Sequence, residues 1–108
     1  MPKYLFQGSY VDEGLQGLAT EGGTPRVEAA RKLFGSLGGT LEGFYFAFGS
    51  DNLVVICDLP DNVSAAAFSL AINNTGKARG YVTPLLTPEE MDQVITKSPA
   101  YRAPGEAG

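Results

Sequence analysis

Arg79 and Tyr81, two residues apart, are the side chains of this sequence best suited to hold an oxygen-bearing ligand. A guanidinium presents five fixed N–H donors and a phenol adds a donor and acceptor. Both fall in a segment, Lys77 to Leu86, that alternates Ala78, Gly80 and Val82 with Lys77, Arg79, Tyr81 and Thr83. Alternation of that kind marks a strand, and it sends Arg79, Tyr81 and Thr83 to one face. In the first strand, Lys3 to Tyr10, the residues Leu5, Gln7 and Ser9 share a face opposite Tyr4, Phe6 and Tyr10. A ring from the second strand joins them, Tyr45 or its neighbour Phe44, the parity there being open; Tyr45 is the one assigned to the site. Gln7, Ser9, Tyr45, Arg79 and Tyr81 therefore make a candidate ligand-binding group, a few polar atoms among aromatic ones, which is how small-molecule pockets are built. The competing reading is that Lys77 and Arg79 sit on an edge strand, where charge blocks edge-to-edge aggregation.

The remaining candidates are weaker. The chain has no histidine, so the usual general base and the commonest metal ligand are both missing. Ser-His-Asp and Cys-His systems are excluded within the chain, as is a haem held by a proximal His, and one cysteine is too few for zinc. No cofactor is expected. Cys57 lies in an apolar run with no cation or helix start beside it, the setting of a packed, inert thiol. Asp58, if buried beside Arg79, would be a perturbed carboxylate; a strand-end or capping role is the plainer reading. Glu42 is a lone carboxylate and Asp51 a turn former. The glycines of Gly35-Ser-Leu-Gly-Gly39 follow a helix and lack a Lys-Ser/Thr, so they read as a C-cap and not as a phosphate loop.

These residues must be positioned by short elements. A weak helix over Asp12 to Thr20 is broken by Gly22-Gly23. Thr24-Pro25 restarts a helix, with Thr24 as N-cap, and Val27, Ala30, Leu33, Phe34 and Leu37 form its apolar stripe. Thr40 to Phe48 and Leu53 to Leu59 are strands joined by a tight Gly49-Ser-Asp-Asn52 turn. A helix over Val63 to Asn74, capped by Asp61 or Asn62, is apolar nearly all round and is expected to be buried on more than one side. Thr87 and Glu90 form a capping box for a short helix over Glu89 to Lys97. The order is β-α-β-β-α-β with a terminal helix: an α+β, ferredoxin-like βαββαβ fold with a four-stranded antiparallel sheet in the order 4-1-3-2. Residues 1–97 form one domain and 98–108 an extended tail.

Phe44 to Phe48 and Leu53 to Cys57 are apolar at every residue, which predicts a sheet covered on both faces. The helices suffice for one face. A second copy of the chain is the simplest cover for the other, so the expected partner is the protein itself, as a homodimer or a multiple of dimers. A formal net charge of -4 with eight scattered basic residues argues against nucleic acid. No run approaches the roughly 18 apolar residues of a membrane span. The start lacks a signal-peptide layout and the single cysteine forms no internal disulfide, so a cytoplasmic setting is expected.

Several stretches resemble the GYD-domain family. They are Met1-Pro-Lys-Tyr-Leu-Phe6, Glu21-Gly-Gly-Thr24 with Arg26 and Ala30, Leu37-Gly-Gly39, Phe44-Tyr-Phe-Ala-Phe-Gly49, Asp58-Leu-Pro-Asp61, Thr83-Pro-Leu-Leu-Thr-Pro-Glu-Glu-Met91 and Pro99-Ala-Tyr-Arg102. The resemblance implies a ferredoxin-like fold of the dimeric α/β-barrel type and carries over no catalytic residue. The sequence departs from the family at its signature turn, where Gly49-Ser50-Asp51 has serine in place of tyrosine. If that tyrosine binds a ligand in relatives, the contact is lost or changed here.

The expected function is a homo-oligomeric small-molecule-binding α/β barrel for a small hydrophobic, oxygenated ligand, with cofactor-free enzymatic turnover as one form of it. The alternative is a non-catalytic binding or interaction module whose sheet face is only a packed dimer interface. The absence of histidine yields a direct prediction: elemental analysis of freshly purified protein finds no stoichiometric zinc, iron or copper, and a stoichiometric transition metal would contradict it.

Overall fold

Three phenylalanines hold the helix layer to the sheet. Phe6 meets Phe68 edge-on at 5.1 Å between ring centroids, and Phe68 meets Phe34 at 4.8 Å. Such tilted and edge-to-face pairs are the favoured aromatic geometry. In the computed structural model, which describes residues 1–107, the elements run β1 (Lys3–Tyr10), α1 (Glu13–Glu21), α2 (Thr24–Ser36), β2 (Thr40–Phe46), β3 (Leu53–Asp58), α3 (Asn62–Asn73), β4 (Ala78–Leu85) and α4 (Pro88–Thr96). The sheet order is β2-β3-β1-β4, every neighbour antiparallel, and the fold is α+β and ferredoxin-like.

The pleat sorts the side chains. Tyr4 and Phe6 of β1 and Leu53, Val55 and Cys57 of β3 are buried on the helix side, with Leu59, Ala65 and Phe68 completing the core. Phe44 packs against that core and lies 5.4 Å from Phe46, which fixes the parity of β2 and turns Tyr45 to the other face. A bulge between Leu41 and Gly43 resets the β2 register. The α2 helix ends in a Schellman motif: Gly38 takes φ 77°, Gly39 N–H donates to Phe34 O at 2.8 Å and Gly38 N–H to Gly35 O at 3.1 Å. The capping box of α4 forms as expected, with Thr87 and Glu90 bonded to each other's backbone N–H.

The structure corrects two expected boundaries and decides between the two caps open for α3. Gly23, not Thr24, precedes the first turn of α2, because Thr24 and Pro25 are already helical. Asp61 is the α3 cap, accepting from Ser64 N–H at 2.8 Å. β2 stops at Phe46, leaving Ala47 and Phe48 in the turn. Within one chain α3 is buried only at Ala65 and Phe68; Val63 and Leu70 on its outer side are 79% and 70% exposed, the side for which the sequence expects a second copy as cover. The two apolar strands likewise bury one side on the helices, and their other side is open in the single chain, as the sequence expects before a second copy is added.

The C-terminal part departs from the body. Every residue of α4 is exposed, Met91, Val94 and Ile95 included. The radius of gyration is 17.4 Å, against about 13 Å for a compact chain of about 100 residues. A long axis of 59 Å beside short axes of 31 and 23 Å accounts for the excess as a projection.

The β4 edge is protected by one side chain. Asn73 donates from Nδ2 to Gly80 O and accepts at Oδ1 from Gly80 N–H, both at 3.0 Å. It thus occupies the outward donor and acceptor that an edge strand leaves free. Asn73→Ala loses both bonds, at about 1 kcal/mol each. The melting temperature is expected to fall by roughly 10 °C; calorimetry showing no change would refute this role.

Candidate functional site

The open face of the sheet is a grid set by the strand registers. Lys3 lies beside Asp58 on one side and Leu85 on the other, and Asp58 is opposite Thr40. The next row runs Gly43, Ile56, Leu5, Thr83, and the next Tyr45, Val54, Gln7, Tyr81. Ser9 opposite Arg79 forms the last row. The middle is therefore apolar, with Leu5, Val54 and Ile56, and polar groups rim it. Gly43 has no side chain where the Tyr45 ring folds back, and a Cβ there would meet the ring at 2.9 Å.

All five residues singled out from the sequence lie on this face. Gln7, Tyr45 and Tyr81 share one row, and Ser9 and Arg79 the next. The β2–β3 turn folds over that end. Tyr81 Oη donates to Asp51 Oδ2 at 3.2 Å, and Ser9 Oγ donates to Ser50 O at 3.4 Å. The Asp51 carboxylate holds Tyr81 above the usual phenol range, so Tyr81 is a neutral phenol whose proton is already committed. Among the described residues Arg79 makes neither an ion pair nor a side-chain hydrogen bond, and it is exposed in the single chain. Arg79 is thus the one charged donor of the group, and it is unpaired among the described residues.

The Asp58–Arg79 pairing considered from the sequence does not occur. Asp58 pairs with Lys3 at the start of β1 and Arg79 with Ser9 near its end, which is about 20 Å of strand. Lys3 Nζ instead bridges Glu42 Oε2 at 2.7 Å and Asp58 Oδ1 at 3.0 Å. Its pKa is raised, first by the hydrogen bond to Glu42 and then by that to Asp58. This three-residue cluster was missed because Lys3 reads as one more scattered cation. The signal was present in the alternation of β1, which puts Lys3 on the face of Leu5 and Gln7. Among the described residues no group of three His, Cys, Asp or Glu comes together as a possible metal site.

The sequence model of the GYD domain matches residues 4–95. The chain belongs to the GYD-domain family. No curated protein and no solved structure matches it. In this GYD-domain chain the β2–β3 turn, Gly49-Ser50-Asp51, touches the open face through the Ser50 carbonyl and the Asp51 carboxylate. Ser50 therefore borders Ser9, and Asp51 borders Tyr81. No helix of the described residues is long and apolar enough to cross a membrane.

Cys57 faces the other way, into the core, and burial pushes its thiol up to about 11. A raised thiol pKa means the folded state keeps a proton that the unfolded chain loses. The stabilisation is complete below the ordinary value of 9.0 and is lost as pH rises from there toward about 11. Two outcomes follow: native Cys57 resists thiol reagents at pH 8 until the protein is unfolded, and Cys57→Ala flattens the alkaline fall of the unfolding free energy. Rapid labelling of the native protein would contradict this.

Proposed function

We propose that this protein is a homo-oligomer whose open sheet faces meet across a small hydrophobic ligand bearing an oxygen that Arg79 receives. The observation that carries the reading is the uncovered face itself: an apolar centre of Leu5, Val54 and Ile56, a polar rim, and one guanidinium with no acidic partner. A single layer of helices leaves the sheet half covered, and a second copy supplies matching apolar surface. Tyr45 and Gln7 line the row beside Arg79, and Tyr81 is held in place by Asp51. Tyr81 can meet the ligand only through its oxygen lone pairs or by releasing Asp51, so Arg79 is the anchor.

A specific observation also supports a plainer reading, a packed interface with no ligand. Lys3, Glu42 and Asp58 satisfy one another, as do Tyr81 and Asp51, leaving few free polar groups to specify a ligand. The two readings share the self-association and differ at Arg79.

Sedimentation equilibrium at micromolar concentration is expected to give a dimer or a multiple of one. Val54→Lys, which puts a charge in the apolar centre, is expected to give a folded monomer. Native mass spectrometry of the wild-type protein is expected to retain a small organic molecule that Arg79→Ala loses. A wild-type monomer would overturn the proposal, and a ligand-free dimer insensitive to Arg79→Ala would leave only the packed interface.

A further inference from the structure

Behind the sheet, on the side away from Arg79, the helix layer does not close. A chamber of about 80 Å³ lies among Phe6, Ala30, Leu33, Phe34, Phe44 and Phe68. A second of about 250 Å³ opens outward past Glu13, Gly17, Glu21 and Lys77. Tyr10, Arg26, Leu53 and Ile72 wall both, so the two adjoin at Arg26. Arg26 is held from one side only: its Nη1 donates to Glu21 Oε1 at 3.3 Å. Its Nε–H is buried and meets no acceptor. A buried donor on a charged group rarely goes unpaired, and each such group calls for an occupant.

We propose that this cleft binds a small, mainly apolar molecule through one carboxylate or carbonyl oxygen, received by Arg26 Nε. The aromatic inner chamber takes the apolar body and the guanidinium edge fixes the oxygen. Ligand pockets of ordinary size span about 300–1,000 Å³, and these chambers together sit at the small end. Glu13 and Glu21 at the wider chamber repel a second negative charge, so the class is a monoacid or neutral carbonyl compound and not a phosphate or diacid. Lys77 is the only other cation on the wall. The site is independent of the proposed function, because Arg79 lies on the opposite face of the sheet.

The test uses ¹⁵N-labelled full-length protein titrated with benzoate, following the arginine Nε–Hε resonances. The expected result is a saturable shift of the Arg26 resonance with half-saturation at or below about 1 mM, whatever Arg79 does. Arg26→Gln is expected to weaken binding at least tenfold. Ala30→Leu keeps Arg26 and fills the inner chamber, and it is expected to weaken binding comparably; it decides the matter if Arg26→Gln fails to fold. Toluene, which lacks the oxygen, is expected to leave the Arg26 resonance in place. The absence of a saturable Arg26 shift, a shift confined to Arg79, or unchanged affinity in folded Arg26→Gln would each overturn the proposal. A shift confined to Arg79 would at the same time favour the outer face as the ligand site.

Discussion

The pleat of β1 is the constraint on which the rest depends. This strand is central, bonded to β3 on one side and β4 on the other, so its alternation is imposed on the whole sheet. Tyr4 and Phe6 face the helices, and Phe6 seats Phe68, which in turn seats Phe34. Gly8 and Gly80 sit opposite one another with no room for side chains: a Cβ on Gly8 would strike the Arg79 carbonyl, and one on Gly80 the Phe6 ring. A register slip of one residue would send Phe6 to the open face and Gln7 into the core.

The same pleat divides the chemistry. Two arginines end on opposite sides of one sheet, each with donors left over. Arg79 stands at the end of the open face, where the β2–β3 turn has used Asp51 and Ser50 on its neighbours. Arg26 stands between helix and sheet with half of its guanidinium engaged by Glu21. In a chain of net charge -4, acidic groups are plentiful enough to pair both. Glu21 reaches one edge of Arg26, while Glu42 and Asp58 are taken by Lys3, Asp51 by Tyr81, and Asp61 and Glu90 by helix caps.

The projecting α4 follows from local chemistry. Thr87 and Glu90 close a capping box and Pro88 fixes the first turn, so the helix direction is set within a few residues of β4. Its apolar residues find nothing to pack on in their own chain. A helix of this length is marginal alone in water, and its apolar side, like the outer side of α3 and the open sheet face, is surface left without cover.

Much of this was determined by the sequence alone. Alternation in β1 and β4, the Gly38-Gly39 stop and the Thr87–Glu90 box are encoded within a few residues, because pleat and capping are local physics. The face shared by Gln7, Ser9, Arg79 and Tyr81 was legible for that reason, as was the core position of Cys57. Tertiary structure alone decided what depends on register between distant strands. It placed Asp58 with Lys3 and not Arg79, turned Tyr45 outward by way of the bulge at Gly43, and brought Asp51 to Tyr81. It also left Arg26 half-paired in a cleft, which helix periodicity cannot reveal, because a cavity is the failure of two separate elements to meet and neither element encodes it.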